Sequence, residues 1–325
     1  MAGAALVFCL SAMVCVVVGR VAIQILRRAQ ALAPVRYEDC APLLAYQQSK
    51  ASTPTMGGVI VLAVGIGIAA VAGGLSSREG WLVCAAIVGL GAIGLCDDVL
   101  KFQGPNAVGL RSVPKLVSAL AIGGVIGLLS APPSRTEPLW ALSWASWHLA
   151  DWGWILFAMV VLAGCAHAVN LTDGMDGLAS GCAAIALAAL GWWTIEQHVG
   201  RPLMWWCASL SGACVGFLWF NSFPASVFLG DVGALGLGGA LGAISLLTHS
   251  AWWLVLVGGV FVAEACSVML QVASYKWRGG RRIFRVAPLH HHFHLAGTVE
   301  PKLIVRFWIT GMLLAMAGLA LRRAP

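Results

Sequence analysis

The chain has 325 residues, 60% of them hydrophobic and 10% charged, with a mean hydropathy of +0.87, whereas soluble domains carry about 25% charged residues. That excludes a soluble globular protein: at about 20 apolar residues per membrane-spanning helix, the length accommodates roughly ten spans in a single integral membrane domain. The formal charge of +7 would point to nucleic acid in a soluble chain, but in a membrane protein basic residues set orientation, and no nucleic-acid partner is expected.

Apolar runs near residues 4–26, 57–75, 81–96, 113–131, 152–170, 178–195, 203–221, 232–248, 251–274 and 303–321 predict ten transmembrane helices, an all-α polytopic membrane protein. The first run lacks a basic leader and a clear cleavage site, so it reads as a retained span and no signal peptide is predicted. With the N-terminus outside, the inner connections hold fourteen Lys and Arg residues, from Arg27 to Arg306, against five outside. That bias places both termini on the periplasmic side. Trp81, Trp152, Trp154, Trp192 and Trp252 fall at predicted outer ends, the headgroup level that indole prefers. The segment from Ala131 to Trp152 is expected to lie along the membrane surface. Ten cysteines occur without paired spacing and mostly inside apolar runs, so neither a disulfide framework nor a zinc site is expected.

Five of the thirteen acids, Asp97, Asp98, Asp173, Asp176 and Asp231, fall in three short inner connections with almost no other charge. Carboxylates at a membrane are costly unless paired, hydrated or bound to a cation, so their convergence points to a site. Asp97 and Asp98 end the third predicted span in DDVLK. There Lys101 offers an ion pair at helical spacing and Lys115 a second cation, which suits an anion pocket as well as a solvated helix end. In NLTDGMDGLA, Asn170, Asp173 and Asp176 recur every third residue; on a helix they share one face, while a tight turn with one capping aspartate is the plainer alternative. Asp231 in FLGDVG precedes a helix rich in small residues, either as its N-cap or as a Mg2+ ligand beside a diphosphate. Lys50 and Thr55 in KASTPTMGG offer phosphate or nucleoside contacts, or simple helix-start punctuation. The histidines of PLHHHFH follow five basic residues from Lys276 to Arg285; because oxygen ligands dominate elsewhere, phosphate or sugar bonding is expected of them in preference to a soft-metal tract. Glu264, Ser267 and Gln271 form a polar stripe at helical spacing, the ordinary role of which is to join helices.

In this order KASTPTMGG, DDVLK, NLTDGMDGLA, NSFPASVFLGD and FRVAPLHHHFH resemble the bacterial phospho-N-acetylmuramoyl-pentapeptide transferases, over about Lys50 to Trp308. The resemblance implies ten transmembrane helices with the ninth broken near the inner face, a homodimer in the bacterial cytoplasmic (inner) membrane, and an active site at the cytoplasmic face. It also implies Mg2+-dependent transfer of phospho-MurNAc-pentapeptide from UDP-MurNAc-pentapeptide to undecaprenyl phosphate, giving lipid I and UMP. On that pattern Asp231 holds Mg2+ with Asn170 as a second ligand, Lys101 and Lys115 attract phosphate, and Asp97 deprotonates or orients the lipid phosphate with Asp98 in support, the base and the covalent-nucleophile roles of Asp97 both staying open. Lys50, Asp173, Asp176, Asn221 and Phe228 line the nucleoside side; His290, His291 and His292 border the diphosphate and sugar, with His290 in the catalytic set. Thr55 and Gln271 join the substrate contacts. Val232, Ala234, His294 and Ser52 depart from the family pattern. Two other activities fit parts of the chain: transfer of phospho-GlcNAc, which shares the aspartate motifs, and cation-coupled transport, which calls for acids near mid-membrane.

Overall fold

The computed structural model describes residues 2–29, 31–32, 44, 46, 48, 50–101, 109–130, 151–196 and 201–322. The expected surface-lying segment from 131 to 150 lies outside them. Among the described residues, regular secondary structure is helical apart from an isolated β-bridge between Leu32 and Pro54. In chain order the helices are α1 (Ala2–Arg28), α2 (Gly58–Ala72), α3 (Arg78–Leu100), α4 (Ser112–Ser130), α5 (Asp151–Thr172), α6 (Leu178–Glu196), α7 (Arg201–Asn221), α8 (Gly230–Leu247), α9 (Ala251–Val257), α10 (Gly259–Trp277), α11 (Leu289–Leu295) and α12 (Glu300–Arg322).

Among the described residues, eight helices are long and apolar enough to cross a membrane, or nine if α9 and α10 count as one span. The chain is an integral membrane protein. The second expected span, α2, is apolar but has 15 residues; at 1.5 Å per residue that is about 22 Å, less than the ~30 Å hydrocarbon core. The ninth does not run straight over 251–274: it turns by 86° between α9 and α10. Consecutive glycines, Gly258 and Gly259, sit at the turn and weaken helix continuity. The bend thus comes seven residues into the segment, so the ninth span is broken, as the resemblance implies.

Helix α8 is the axis of the bundle, packed by α3, α5 and α2. Its residues from Gly230 to Leu246 are all buried, because small residues let neighbouring backbones come close. A Cβ on Gly94 of α3 would lie 2.2 Å from the Asp231 carbonyl oxygen, and one on Gly58 would lie 2.2 Å from Gly233 Cα. The stretch before α2 is zipped to the start of α8: Phe228 N–H donates to Pro54 at 2.8 Å, Gly57 to Phe228 at 2.8 Å and Gly58 to Leu229 at 2.7 Å. Gly230 holds φ +75°, a left-handed turn that glycine adopts freely and that starts α8 against this zipper.

Candidate active site

The ends of α3, α5 and α8 bring the acids of three motifs together. Asp97 and Asp98 lie in the last turn of α3 and Asp231 in the first turn of α8; one ligand oxygen from each falls within 4.8 Å of the others. Lys101 Nζ stands 2.5 Å from Asp97 Oδ2, 3.2 Å from Asp98 Oδ1 and 2.8 Å from Asp231 Oδ2. Lys115 Nζ reaches two of the same oxygens, Asp97 Oδ2 at 3.2 Å and Asp231 Oδ2 at 2.5 Å. Asn170 donates its amide to Asp231 Oδ1 at 2.8 Å, and Asp97 Oδ1 accepts from the Leu110 N–H at 2.6 Å.

Asp231 does not cap its helix. The Val232 N–H at the start of α8 is taken by Asp98 Oδ2 at 3.1 Å, a cap supplied from another helix, which leaves the Asp231 carboxylate to the lysines and Asn170. Asn170, Asp173 and Asp176 do not share a helical face, because α5 ends at Thr172 and a turn follows. Asn170 meets Asp231, Asp173 accepts from the Gly230 N–H, and Asp176 belongs to a second cluster. Burial, then Asp231 and Asp98, hold the Asp173 carboxyl well above the usual carboxylate range.

In the second cluster Lys50 Nζ lies 2.6 Å from Asp176 Oδ1 and 2.6 Å from Glu300 Oε1, and it donates to the Tyr46 hydroxyl at 2.7 Å. Burial raises the Asp176 carboxyl, with Lys50 pulling the other way. Asn221 is buried, its amide oxygen accepting from Ser180 Oγ at 2.7 Å and its amide donating to the Val227 carbonyl at 2.9 Å. Glu300 and Tyr46 escaped the sequence reading: Glu300 sits in no motif, and the only signal for Tyr46 is its helical spacing from Lys50.

Both clusters open into one cavity of about 270 Å³. Its wall includes Lys50, Thr55, Asp98, Lys101, Asn170, Asp173, Asp176, Asn221, Phe228, Asp231, His290 and His291. Asp97 and Lys115 stand behind Asp231 through their ion pairs. Gln271 and His292 are placed elsewhere. Gln271 Oε1 accepts from the Ile283 and Phe284 N–H groups at 2.9 Å, and its amide donates to the Phe284 carbonyl at 3.0 Å. His292 Nδ1 accepts from the Arg285 N–H at 3.1 Å. Both brace the basic loop.

The two remaining histidines lie in α11. His290 is fully buried, with Nδ1 3.2 Å from Glu264 Oε2 without hydrogen-bond geometry, while its backbone N–H donates to Glu264 Oε1 at 3.2 Å. A Cβ on Gly174 would lie 2.2 Å from His290 Nε2, so the glycine makes room for the imidazole. Burial, then the neighbouring His290 and His294, push His291 down to about 2; it enters the cavity wall as a neutral ring.

The donor set fits a hard divalent cation. Three clustered carboxylates against two ammonium groups leave surplus negative charge, and every candidate ligand is oxygen, the preference of Mg2+.

Residues 80–249 match the model of glycosyl transferase family 4. A phospho-N-acetylmuramoyl-pentapeptide-transferase of Pelobacter propionicus is 41% identical over 324 residues, covering 95% of this chain and 89% of that protein. Those of Thermodesulfovibrio yellowstonii and Citrifermentans bemidjiense are each 42% identical over 288 residues, 83% of this chain and 80% of theirs. Similarity of that extent, running through the helices that carry the clustered acids and lysines, means that the chain belongs to the phospho-N-acetylmuramoyl-pentapeptide-transferase family.

Proposed function

We infer that the protein transfers phospho-MurNAc-pentapeptide from UDP-MurNAc-pentapeptide to undecaprenyl phosphate, releasing UMP and leaving lipid I in peptidoglycan synthesis. The observation that carries the mechanism is the pair of lysines held on the shared oxygens of Asp97 and Asp231. Phosphoryl transfer depends on charge neutralisation and in-line placement more than on covalent chemistry by the protein. Asp231, with Asp98 and Asn170 beside it, would hold Mg2+, and bound there it would neutralise diphosphate oxygens and polarise phosphorus. Lys101 and Lys115 bind the phosphates of donor and acceptor. Asp97 holds both lysines in place and has one of two roles: as a base it takes the proton of the lipid phosphate, whose oxygen attacks the sugar-linked phosphorus and expels UMP; as a nucleophile it attacks that phosphorus itself, expelling UMP, and the lipid phosphate then displaces the carboxylate. Asp173 bonds the N-terminus of α8, and His290 and neutral His291 offer hydrogen bonds to the sugar and its lactyl-peptide arm. Phe228 and Asn221 flank the nucleoside.

The apolar runs support ten spans, and the positive-inside bias supports periplasmic termini with the cavity at the cytoplasmic face of the inner membrane. The family supports a homodimer. Acids gathered at helix ends favour an enzyme at the interface over a cation-coupled transporter, whose acids would lie near mid-membrane. Vesicles carrying the protein, supplied with undecaprenyl phosphate and equal UDP-MurNAc-pentapeptide and UDP-GlcNAc, provide the test. The expected result is UMP release with a MurNAc-pentapeptide lipid. A GlcNAc lipid would move the activity to the related phospho-GlcNAc transfer, and gradient-driven uptake without UMP would overturn the transferase.

A further inference from the structure

Glu300 lies 250 residues from the lysine it binds. It occupies the first turn of α12, where unpaired N–H groups favour a carboxylate, and its side chain is 4% exposed. It is not part of the cavity wall, yet it touches three residues that are, Tyr46, Lys50 and Asp176. Its Oε1 accepts from Lys50 Nζ at 2.6 Å and from the Asp176 backbone N–H at 3.0 Å, and its carboxylate also takes a hydrogen bond from the Tyr46 side chain.

An ammonium group has three hydrogens. Those of Lys50 find Glu300, Asp176 Oδ1 and the Tyr46 hydroxyl within 2.7 Å. The other Asp176 oxygen accepts from the Ala225 N–H at 2.9 Å. Lys50 therefore has no donor left over for a ligand, and its position depends on the carboxylates that enclose it. Removing the charge of Glu300 would leave the ammonium to Asp176 alone and loosen the turn at 173–177, whose backbone the same oxygen holds.

We propose that Glu300 is a positioning residue for the sugar nucleotide: it touches no substrate, but it fixes Lys50 and the Asp176 turn and so shapes the part of the cavity bordered by Asn221 and Phe228. This rests on the transferase reading above.

The test compares the full chain in detergent with Glu300→Gln, Lys50→Met and the double variant, by UMP titration calorimetry and by turnover. Gln keeps an acceptor for the Asp176 N–H and loses the charge. Glu300→Gln is expected to weaken UMP binding and raise KM for UDP-MurNAc-pentapeptide about tenfold, the scale of one charge-assisted hydrogen bond. Its kcat and its KM for undecaprenyl phosphate should stay within about twofold, since neither depends on the nucleoside contacts. The double variant should bind no more weakly than Lys50→Met, because Glu300 acts through Lys50. Tyr46→Phe, which removes only a hydroxyl, should lower UMP affinity about threefold and serves if Glu300→Gln does not fold. Unchanged UMP binding in these variants, a fall in kcat at constant KM, or additive losses in the double variant would overturn the proposal. An unsubstituted protein that binds UMP but forms no lipid-linked product would overturn the transferase reading, and the calorimetry would still decide the role of Glu300.

Discussion

Two lysine–carboxylate clusters meet at the same cavity, and they are built differently. In one, Lys101 and Lys115 both sit on Asp231 Oδ2 and both reach Asp97 Oδ2, so like charges are pressed together and repel. A divalent cation held by the carboxylates, with phosphate on the ammonium groups, would relieve that strain. In the other, a single ammonium is enclosed by Asp176, Glu300 and Tyr46, and every strong donor is already matched. The first arrangement is poised to exchange partners; the second is complete and serves to hold. The same residue types thus bind or brace according to whether two ammonium groups share the same carboxylate oxygens.

If the first cluster exchanges partners, Asp231→Asn should be the most damaging change. An amide is a poor Mg2+ ligand and leaves diphosphate charge unneutralised, so turnover should fall by at least about a thousandfold. The variant should still elute as a folded species, since its backbone contact with Gly94 is unchanged; normal UMP release with normal Mg2+ dependence would reduce Asp231 to packing. Asp97→Asn should lower kcat by about a hundredfold, the usual scale for loss of a general base, with UMP affinity intact by calorimetry. Equal losses of affinity and turnover would instead assign Asp97 to binding.

Gly174 sharpens the contrast from between the clusters. Alanine there would meet His290 Nε2 and move a buried imidazole, and we expect about a tenfold loss of kcat with little change in the melting temperature. A large loss of stability and no separate effect on rate would make the His290 contact purely structural.

The smallest expected effect concerns Asp173. Its carboxyl is raised above the usual range by burial and by Asp231 and Asp98, so the folded state prefers the protonated acid. The associated stability is present below about pH 4 and is lost as pH rises through the folded-state value. Asn resembles the protonated form. In chelator, Asp173→Asn should therefore melt about 2 °C higher at pH 8 and no higher at pH 4. A lower melting point at pH 8 would mean that the ionised acid is well compensated.

Much of the helical layout was legible because apolar runs mark helices whatever surrounds them. The runs near 81–96, 178–195 and 203–221 fall inside α3, α6 and α7. The 86° turn at Gly258 was not legible in hydropathy, which averaged over a window is blind to direction; a break in that helix came only from the family resemblance. The acidic cluster could be read because its members sit in short connections otherwise poor in charge. The bracing cluster could not, because Lys50 and Glu300 are brought together only by the tertiary fold. Gln271 and His292 show the converse: both carry polar groups next to recognisable motifs, yet their hydrogen bonds go to the backbone of the basic loop.

Helix α8 is enclosed along nearly its whole length. Wrapped by its neighbours, it does not feel the bilayer directly. A membrane that thickens or thins acts first on the lipid-facing helices through hydrophobic mismatch, at fractions of a kcal/mol per Å. The carbonyl of Asp231, meanwhile, stays wedged against Gly94. The spacing between the acids of α3 and the acid of α8 is thereby insulated from the mechanical state of the surrounding lipid, much as a bearing isolates a shaft from its housing.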